Sequence, residues 1–315
     1  MSLPGQKNIL VLTFLLLYMG SFAQNQLISF SKEKKSFSLA ANGQATPIVI
    51  SENEFPGVLR IARIFQDDIF QVTSAKPELF VGALSKSETV IIAGTLGNSE
   101  LIDQLVASGK LNVSDLKGKW ESSLTEVVEK PFPGIKRALV IVGSDKRGTI
   151  FGMFELSRQM GVSPWHFWSD VPAKKHPELY VRQGKYLSEE PKVKYRGIFL
   201  NDEEPALGRW AVKNYGGFTY QFYEKVFELI LRLKGNYIWP AMWWASFNTD
   251  DPKNPELADE MGIVMSTTHH EPMMRAHAEW KKKRGAAWNY ETNKDALQQF
   301  WTEGIERMGK HESIV

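Results

Sequence analysis

Three short apolar runs in the second half of the chain each stop against a cluster of polar and aromatic residues. Tyr195–Leu200 ends at Asn201-Asp202-Glu203-Glu204-Pro205, and Tyr237-Ile238-Trp239-Pro240-Ala241-Met242 leads into Trp243-Trp244-Ala245-Ser246. Gly262–Thr268 runs into His269-His270-Glu271-Pro272. Helical patterns separate the runs. In Phe218–Lys234, Phe222, Val226 and Ile230 form one apolar row and Tyr223, Phe227 and Leu231 another, while Glu228 and Arg232 are spaced for a surface ion pair. Asn254–Met261 carries Pro255 at the favoured first position. A last helix, Thr292–Lys310, precedes Ser313-Ile314-Val315, the opening of a fourth strand. Strands alternating with helices, with unusual residues after each strand and ordinary ones before it, match a (β/α)8 barrel, whose active sites sit at the carboxyl ends of the strands. A full barrel takes about 250 residues, so residues 188–315 are expected to form the first half of a truncated TIM barrel.

The preceding stretch, residues 24–187, reads as a small α/β sandwich domain. Pro47-Ile48-Val49-Ile50, Thr89–Gly94 and Arg137–Gly143 are strand runs, with helical patterns over Val58–Phe70, after Asn98-Ser99 as cap, and from Ser144-Asp145 to Met160. The class is therefore α/β in both parts. Gly94-Thr95-Leu96-Gly97 only loosely resembles a phosphate loop, since it lacks both the GxGxxG spacing and the Walker lysine. Residues 1–23 read as a secretory signal: Lys7, an apolar run from Ile9 to Met19, then small residues with cleavage after Ala23. An exported chain, periplasmic or extracellular and without a membrane span after cleavage, is expected. The chain has no cysteine, so it carries neither disulfides nor a lipoprotein anchor. Its net charge of +2 and the lack of a basic stripe argue against nucleic acid as a partner.

Asp202, nearest the end of its strand, is the best-placed carboxylate for a site. Glu203 and Glu204 also suit a helix N-terminus, where carboxylates answer the macrodipole. His269, His270 and Glu271 suggest metal at first glance. The pattern fails HExxH, because Met274 stands where the second histidine belongs and Pro272 breaks the required helix, so no metal is expected. Hydrogen bonding to substrate hydroxyls suits these histidines better. Trp239, Trp243 and Trp244 exceed what a core needs, so at least one is expected to line a pocket. Trp165 to Asp170, held between prolines, offers aromatic faces for stacking on sugar rings or, equally, a plug between layers. Arg196, Arg209 and Arg275 are candidate partners for an anionic substrate, the alternative for each being a surface role.

The motifs GVSPWHFWSDVP, YRGIFLNDEEP, YIWPAMWW and TTHHEPMMR together resemble glycoside hydrolase family 115, the xylan α-glucuronidases, over nearly all of the mature chain. The resemblance implies removal of α-1,2-linked glucuronic acid, or its 4-O-methyl ether, from xylan by an inverting mechanism without metal or cofactor. Asp202, one of the Trp243/Trp244 pair and His270 fall where the family builds its uronic-acid pocket, with Asn201, His269 and Glu271 beside them and the loop from Trp165 to Asp170 at its border. The catalytic acid and base are expected beyond Val315, so the chain is expected to lack them. The implied partners are glucuronoxylan or aldouronic acid oligosaccharides, with a homodimer as an assembly open to full-length members. Two alternatives stand beside this reading: a hexosaminidase-like glycosidase, and a non-catalytic carbohydrate-binding chain.

Overall fold

The computed structural model of the chain describes residues 26–267, 271–282 and 287–314. The expected signal at 1–23 lies outside these residues, as do His269 and His270. The described chain opens with β1 (Ile28–Ser29), β2 (Phe37–Ala41), β3 (Gln44–Ala45) and β4 (Ile48–Ile50). Helix α1 (Pro56–Thr73) and β5 (Leu79–Val81) follow, then β6 (Thr89–Thr95), α2 (Glu100–Ala107), β7 (Ser123–Glu129), β8 (Arg137–Gly143) and α3 (Lys146–Gln159). Strands β9 (Leu179–Val181) and β10 (Lys185–Ser188) complete two sheets. One is an antiparallel sheet in the order β1-β9-β2-β3, and the other a mixed sheet in the order β10-β7-β8-β6-β4-β5.

The central strands of the mixed sheet are parallel and apolar on both faces, which is why their sequences run unbroken rather than alternating. Successive side chains point to opposite faces. Ile48, Ile50, Ile91, Ala93, Leu139 and Ile141 therefore join the larger core with α1 and α3. Val49, Val90, Ile92, Val140 and Val142 join a second, smaller core with Ile102 and Leu105 of α2. The antiparallel sheet and β7 escape the sequence reading because their strands are short or mixed with polar residues. Asp145 caps α3 as expected, accepting from Gly148 N at 2.8 Å. Ser99 does not cap α2 with its own side chain. Its hydroxyl lies 2.8 Å from that of Ser51, and Ser51, just past β4, accepts from Leu101 N instead.

The remaining elements are β11 (Gly197–Phe199), α4 (Leu207–Tyr215), α5 (Tyr220–Arg232), β12 (Tyr237–Trp239), α6 (Phe247–Asp250), α7 (Lys253–Met261), β13 (Val264–Met265), α8 (His277–Lys282) and α9 (Tyr290–Glu306). Strands β11, β12 and β13 form a parallel sheet in that order. Ser313 makes a parallel bridge to Met265, and Ile314 N donates to Met265 O at 2.9 Å. Four chain segments thus lie side by side in parallel. They close no barrel among the described residues, so the half-barrel expectation meets a short open parallel sheet. Helix α7 starts two residues before Pro255, which costs nothing, because the first four N–H groups of a helix have no intrahelical acceptor. Both apolar rows of α5 are buried, and so are Glu228 and Arg232. The expected surface pair is an interior one. Arg232 donates two bonds of 2.9 Å to Asp68 of α1 and one of 2.8 Å to Glu228, with its guanidinium over the Phe154 ring of α3. The larger core continues from Ile28 through to Met274.

No helix among the described residues is long and apolar enough to cross a membrane. The outer edge of β11 is a different kind of exposure. Ile198 and Phe199 are 38% and 48% exposed on a strand that, among the described residues, has a neighbour on one side only. Such an edge is a template for strand pairing. The purified chain is expected to self-associate in a concentration-dependent way, and Ile198→Lys to reduce this, as read by light scattering. A monomer with or without the lysine would contradict the expectation.

Candidate functional site

At the carboxyl ends of β11 and β12 lies a small open cleft of about 140 Å³, lined by Phe199 to Glu203 on one side and by Met242, Trp243 and His277 on the other. The parallel register pairs Phe199 with Trp239, so the two segments leave the sheet together. Asn201, Asp202 and Trp243 therefore meet, although some forty residues separate them along the chain.

Asp202 is 1% exposed. Its Oδ2 accepts from Trp244 N at 2.9 Å and from Ala245 N at 2.8 Å, and the Trp244 indole N–H donates to its carbonyl. The carboxylate thus holds the turn after Trp243. A negative charge that accepts two backbone N–H groups is well satisfied without a ligand. The buried Tyr223 phenol is pushed well above its usual value, first by burial and then by the charge of Asp202, so it stays neutral. Gly208, in the first turn of α4, packs against the same point: a Cβ there would come 2.6 Å from Asp202 O and 2.8 Å from the Trp244 ring. Gly208→Ala is expected to destabilise the protein by about 1–3 kcal/mol through overpacking. Denaturant unfolding checks this, and an unchanged midpoint would show that the turn yields freely.

Trp243 is 46% exposed and lies flat on His277, with ring centroids 4.6 Å apart and planes 9° apart. Glu271, buried, stands 2.6 Å from His277 Nδ1. An ionised carboxylate can only accept, so Nδ1 carries the proton. Trp244 is half-exposed, its ring 5.4 Å from that of Phe218. Glu203 and Glu204 are exposed, and Glu204 pairs with Arg209 at 3.1 Å. The helix that follows begins only at Leu207, so this pair stands in place of the helix N-terminal role expected of Glu204.

Other candidates lie elsewhere. Trp165 and Asp170 are exposed and do not line the cleft. Their loop is fastened to α5 instead, by His166 to Glu228 at 3.2 Å and by the Trp168 indole N–H to Lys225 O at 3.2 Å. Trp168 packs on Trp210 and Phe222, which is the interlayer plug, while Trp165 points outward. Arg196 is bound to the buried Glu121, and Arg275 to Glu279 and Glu303. With Arg209 held by Glu204, the three expected partners for an anion are engaged by protein carboxylates, and none lines the cleft. In the sequence His277 counts only as a further imidazole when metal is weighed, and it stands outside the expected site. A six-residue separation puts two side chains on different faces of a helix, and Glu271 and His277 share no strand, so local pattern gives no sign of the pair.

Residues 188–315 match the profile of Glycosyl hydrolase family 115. A solved structure described as a family GH115 4-O-methyl-α-glucuronidase with specificity for decorated arabinogalactans is 34% identical, with a TM-score of 0.74, over 88% of this chain and 35% of that one. The chain thus spans about a third of that relative's length. Chitobiase from Flavobacterium johnsoniae is more distant, at 12% identity and a TM-score of 0.44, over 76% of this chain and 33% of that one. A β-hexosaminidase of Streptomyces plicatus, at 10% identity and a TM-score of 0.42, covers 74% of this chain and 43% of its own. No curated protein matches the chain. The profile match to glycosyl hydrolase family 115 thus places residues 188–315, the very strands that frame the cleft, in that family.

Proposed function

We propose that this chain is part of an exported glycoside hydrolase that removes α-1,2-linked glucuronic acid, or its 4-O-methyl ether, from a decorated xylan or arabinogalactan. The observation that carries this reading is the exposed Trp243 indole in the cleft of a family 115 chain. An aromatic face of this kind stacks on the apolar face of a sugar ring. The cleft is smaller than the ~300–1,000 Å³ of pockets that enclose a drug-sized ligand, which suits one sugar unit held at a rim. The parallel strands β11 to β13 are read as the start of a (β/α)8 barrel. The open edge of β11 is where its last strand would pair, and the cleft lies at the end where such barrels place their sites.

Inverting hydrolysis needs one carboxyl group to protonate the leaving oxygen and a second, ~6.5–9.5 Å away, to activate water. Asp202 and Glu271 are poor choices for either role, because both are buried and one oxygen of each is engaged, Asp202 Oδ2 by the turn after Trp243 and Glu271 Oε1 by His277. In this reading, acid and base come from the part of the enzyme that follows Val315. Asn201, Trp243, Trp244, His269 and His270 are read as the groups that meet the sugar, with Trp165 and Asp170 at a more distant edge, while the buried Asp202 and Glu271 act behind them.

Calorimetry with aldouronic acids, set against neutral xylo-oligosaccharides, tests the binding half of the reading. Preference for the acidic sugars that Trp243→Ala abolishes is the expected result. Equal binding of both would leave only a general carbohydrate-binding role, and the release of hexosamine by the full-length gene product would reassign the enzyme.

A further inference from the structure

Trp243 is held from two directions by two buried carboxylates. Asp202 fixes the backbone that follows it, through Trp244 N and Ala245 N. Glu271 acts on the ring itself, through the imidazole that lies flat beneath it. The turn between Glu271 and His277 is built with unusual strain. Met273 and Met274 both adopt left-handed backbone, with φ of 61° and 60°. A non-glycine residue is disfavoured there, so surrounding structure must impose it. Here α9 does so. A Cβ on Gly304 would come 2.0 Å from Met273 O, and Arg307 donates to Met274 O. The clamp brings the Glu271 carboxylate and the His277 ring together.

We propose that Glu271 is a positioning residue that sets the plane of the Trp243 indole for sugar stacking by way of His277. Glu271 fixes the His277 ring with one charge-assisted hydrogen bond, and the ring is the floor on which the half-exposed indole lies. A stacking face that is already ordered binds with less loss of side-chain freedom than one that must be ordered by its ligand. This rests on the reading of the cleft as a sugar subsite.

The test uses the full chain with a 15N-labelled indole, the Trp243 signal being assigned by its loss in Trp243→Phe. In Glu271→Ala the signal should broaden or split, and the dissociation constant for a glucuronic-acid-bearing xylo-oligosaccharide should rise about tenfold, equivalent to about 1.4 kcal/mol. Glu271→Gln, whose amide oxygen still accepts from Nδ1, should keep a single sharp signal and an affinity within about twofold of the parent, a difference of under 0.5 kcal/mol. His277→Gln, which removes the floor, should behave as Glu271→Ala does. An unchanged Trp243 signal in Glu271→Ala overturns the proposal, as does an equal loss of affinity in Glu271→Gln and Glu271→Ala. If the parent chain binds no such oligosaccharide, the sugar reading fails, while the indole signal still decides whether Glu271 positions Trp243.

Discussion

Arg232→Met is expected to destabilise the protein by about 3–5 kcal/mol, the loss that follows when one partner of a buried ionic network is removed. Side-chain exposures of 3% for Arg232, 1% for Asp68 and 5% for Glu228 leave water no part in the network. Without the guanidinium, Asp68 keeps no cation, and Glu228 is left with His166 and Lys225. Burial already pushes the Asp68 carboxyl upward, against the pull of Arg232. In the variant Asp68 is expected to take up a proton on folding. Its penalty is then full well above its folded pKa and shrinks as the pH falls through that value. Denaturant unfolding at neutral and mildly acidic pH measures both effects. A uniform loss below 1 kcal/mol would mean that water enters the site.

Acid acts on the parent network in the opposite sense. Burial pushes Glu228 up, but the bond to His166 and the charges of Arg232 and Lys225 outweigh it and hold the carboxyl at about 2. A carboxyl depressed on folding stabilises above its unfolded value of 4.5 and loses that contribution as the pH falls toward 2. The contribution is on the order of 3 kcal/mol. Glu155, likewise held at about 2, shares this window: burial raises it, but bonds to Arg158, Gln159 and Lys234 prevail. An acid unfolding transition below pH ~4.5 is the expected result, shifted upward in Glu228→Gln.

Glu121→Ala is expected to cost about as much, ~3–5 kcal/mol, for the same physical reason. The Glu121 side chain is fully buried just ahead of β7. It faces Arg147 at the start of α3, Arg196 before β11 and Asn236 before β12, the last at 2.6 Å. Alanine would leave two guanidinium groups without their shared carboxylate and would free the entry to both strands. Glu121→Gln keeps the shape and an acceptor for Asn236, so it should cost less than alanine. Hydrogen exchange should localise the loss to β11 and β12. Uniform acceleration across the molecule would instead assign Glu121 to global stability rather than to this joint.

The parts of the fold that were legible in the sequence are those in which local pattern and burial agree. The runs Ile48–Ile50, Thr89–Thr95 and Arg137–Gly143 are strands whose apolar side chains, taken alternately, enter one core or the other. The two apolar rows of α5 made it a helix whatever it packed against. The short strands β1, β3 and β9 gave no such sign, since two or three residues cannot display a repeat. Within the candidate site, Asp202 and Trp243 stood out because they follow strand ends, and adjacent parallel strands bring their ends together.

Residue pattern alone thus decided the helices and strands with a clear apolar repeat and which clusters follow those strands, because periodicity and turn chemistry act over a few residues. Tertiary packing decided what those clusters do. The i,i+4 spacing of Glu228 and Arg232 places two charges on one helix face, but Asp68, 164 positions before Arg232, makes that face interior. His277 lies beneath Trp243 after a turn in which two methionines, packed against Gly304 and Arg307, hold a backbone conformation that their own preferences oppose.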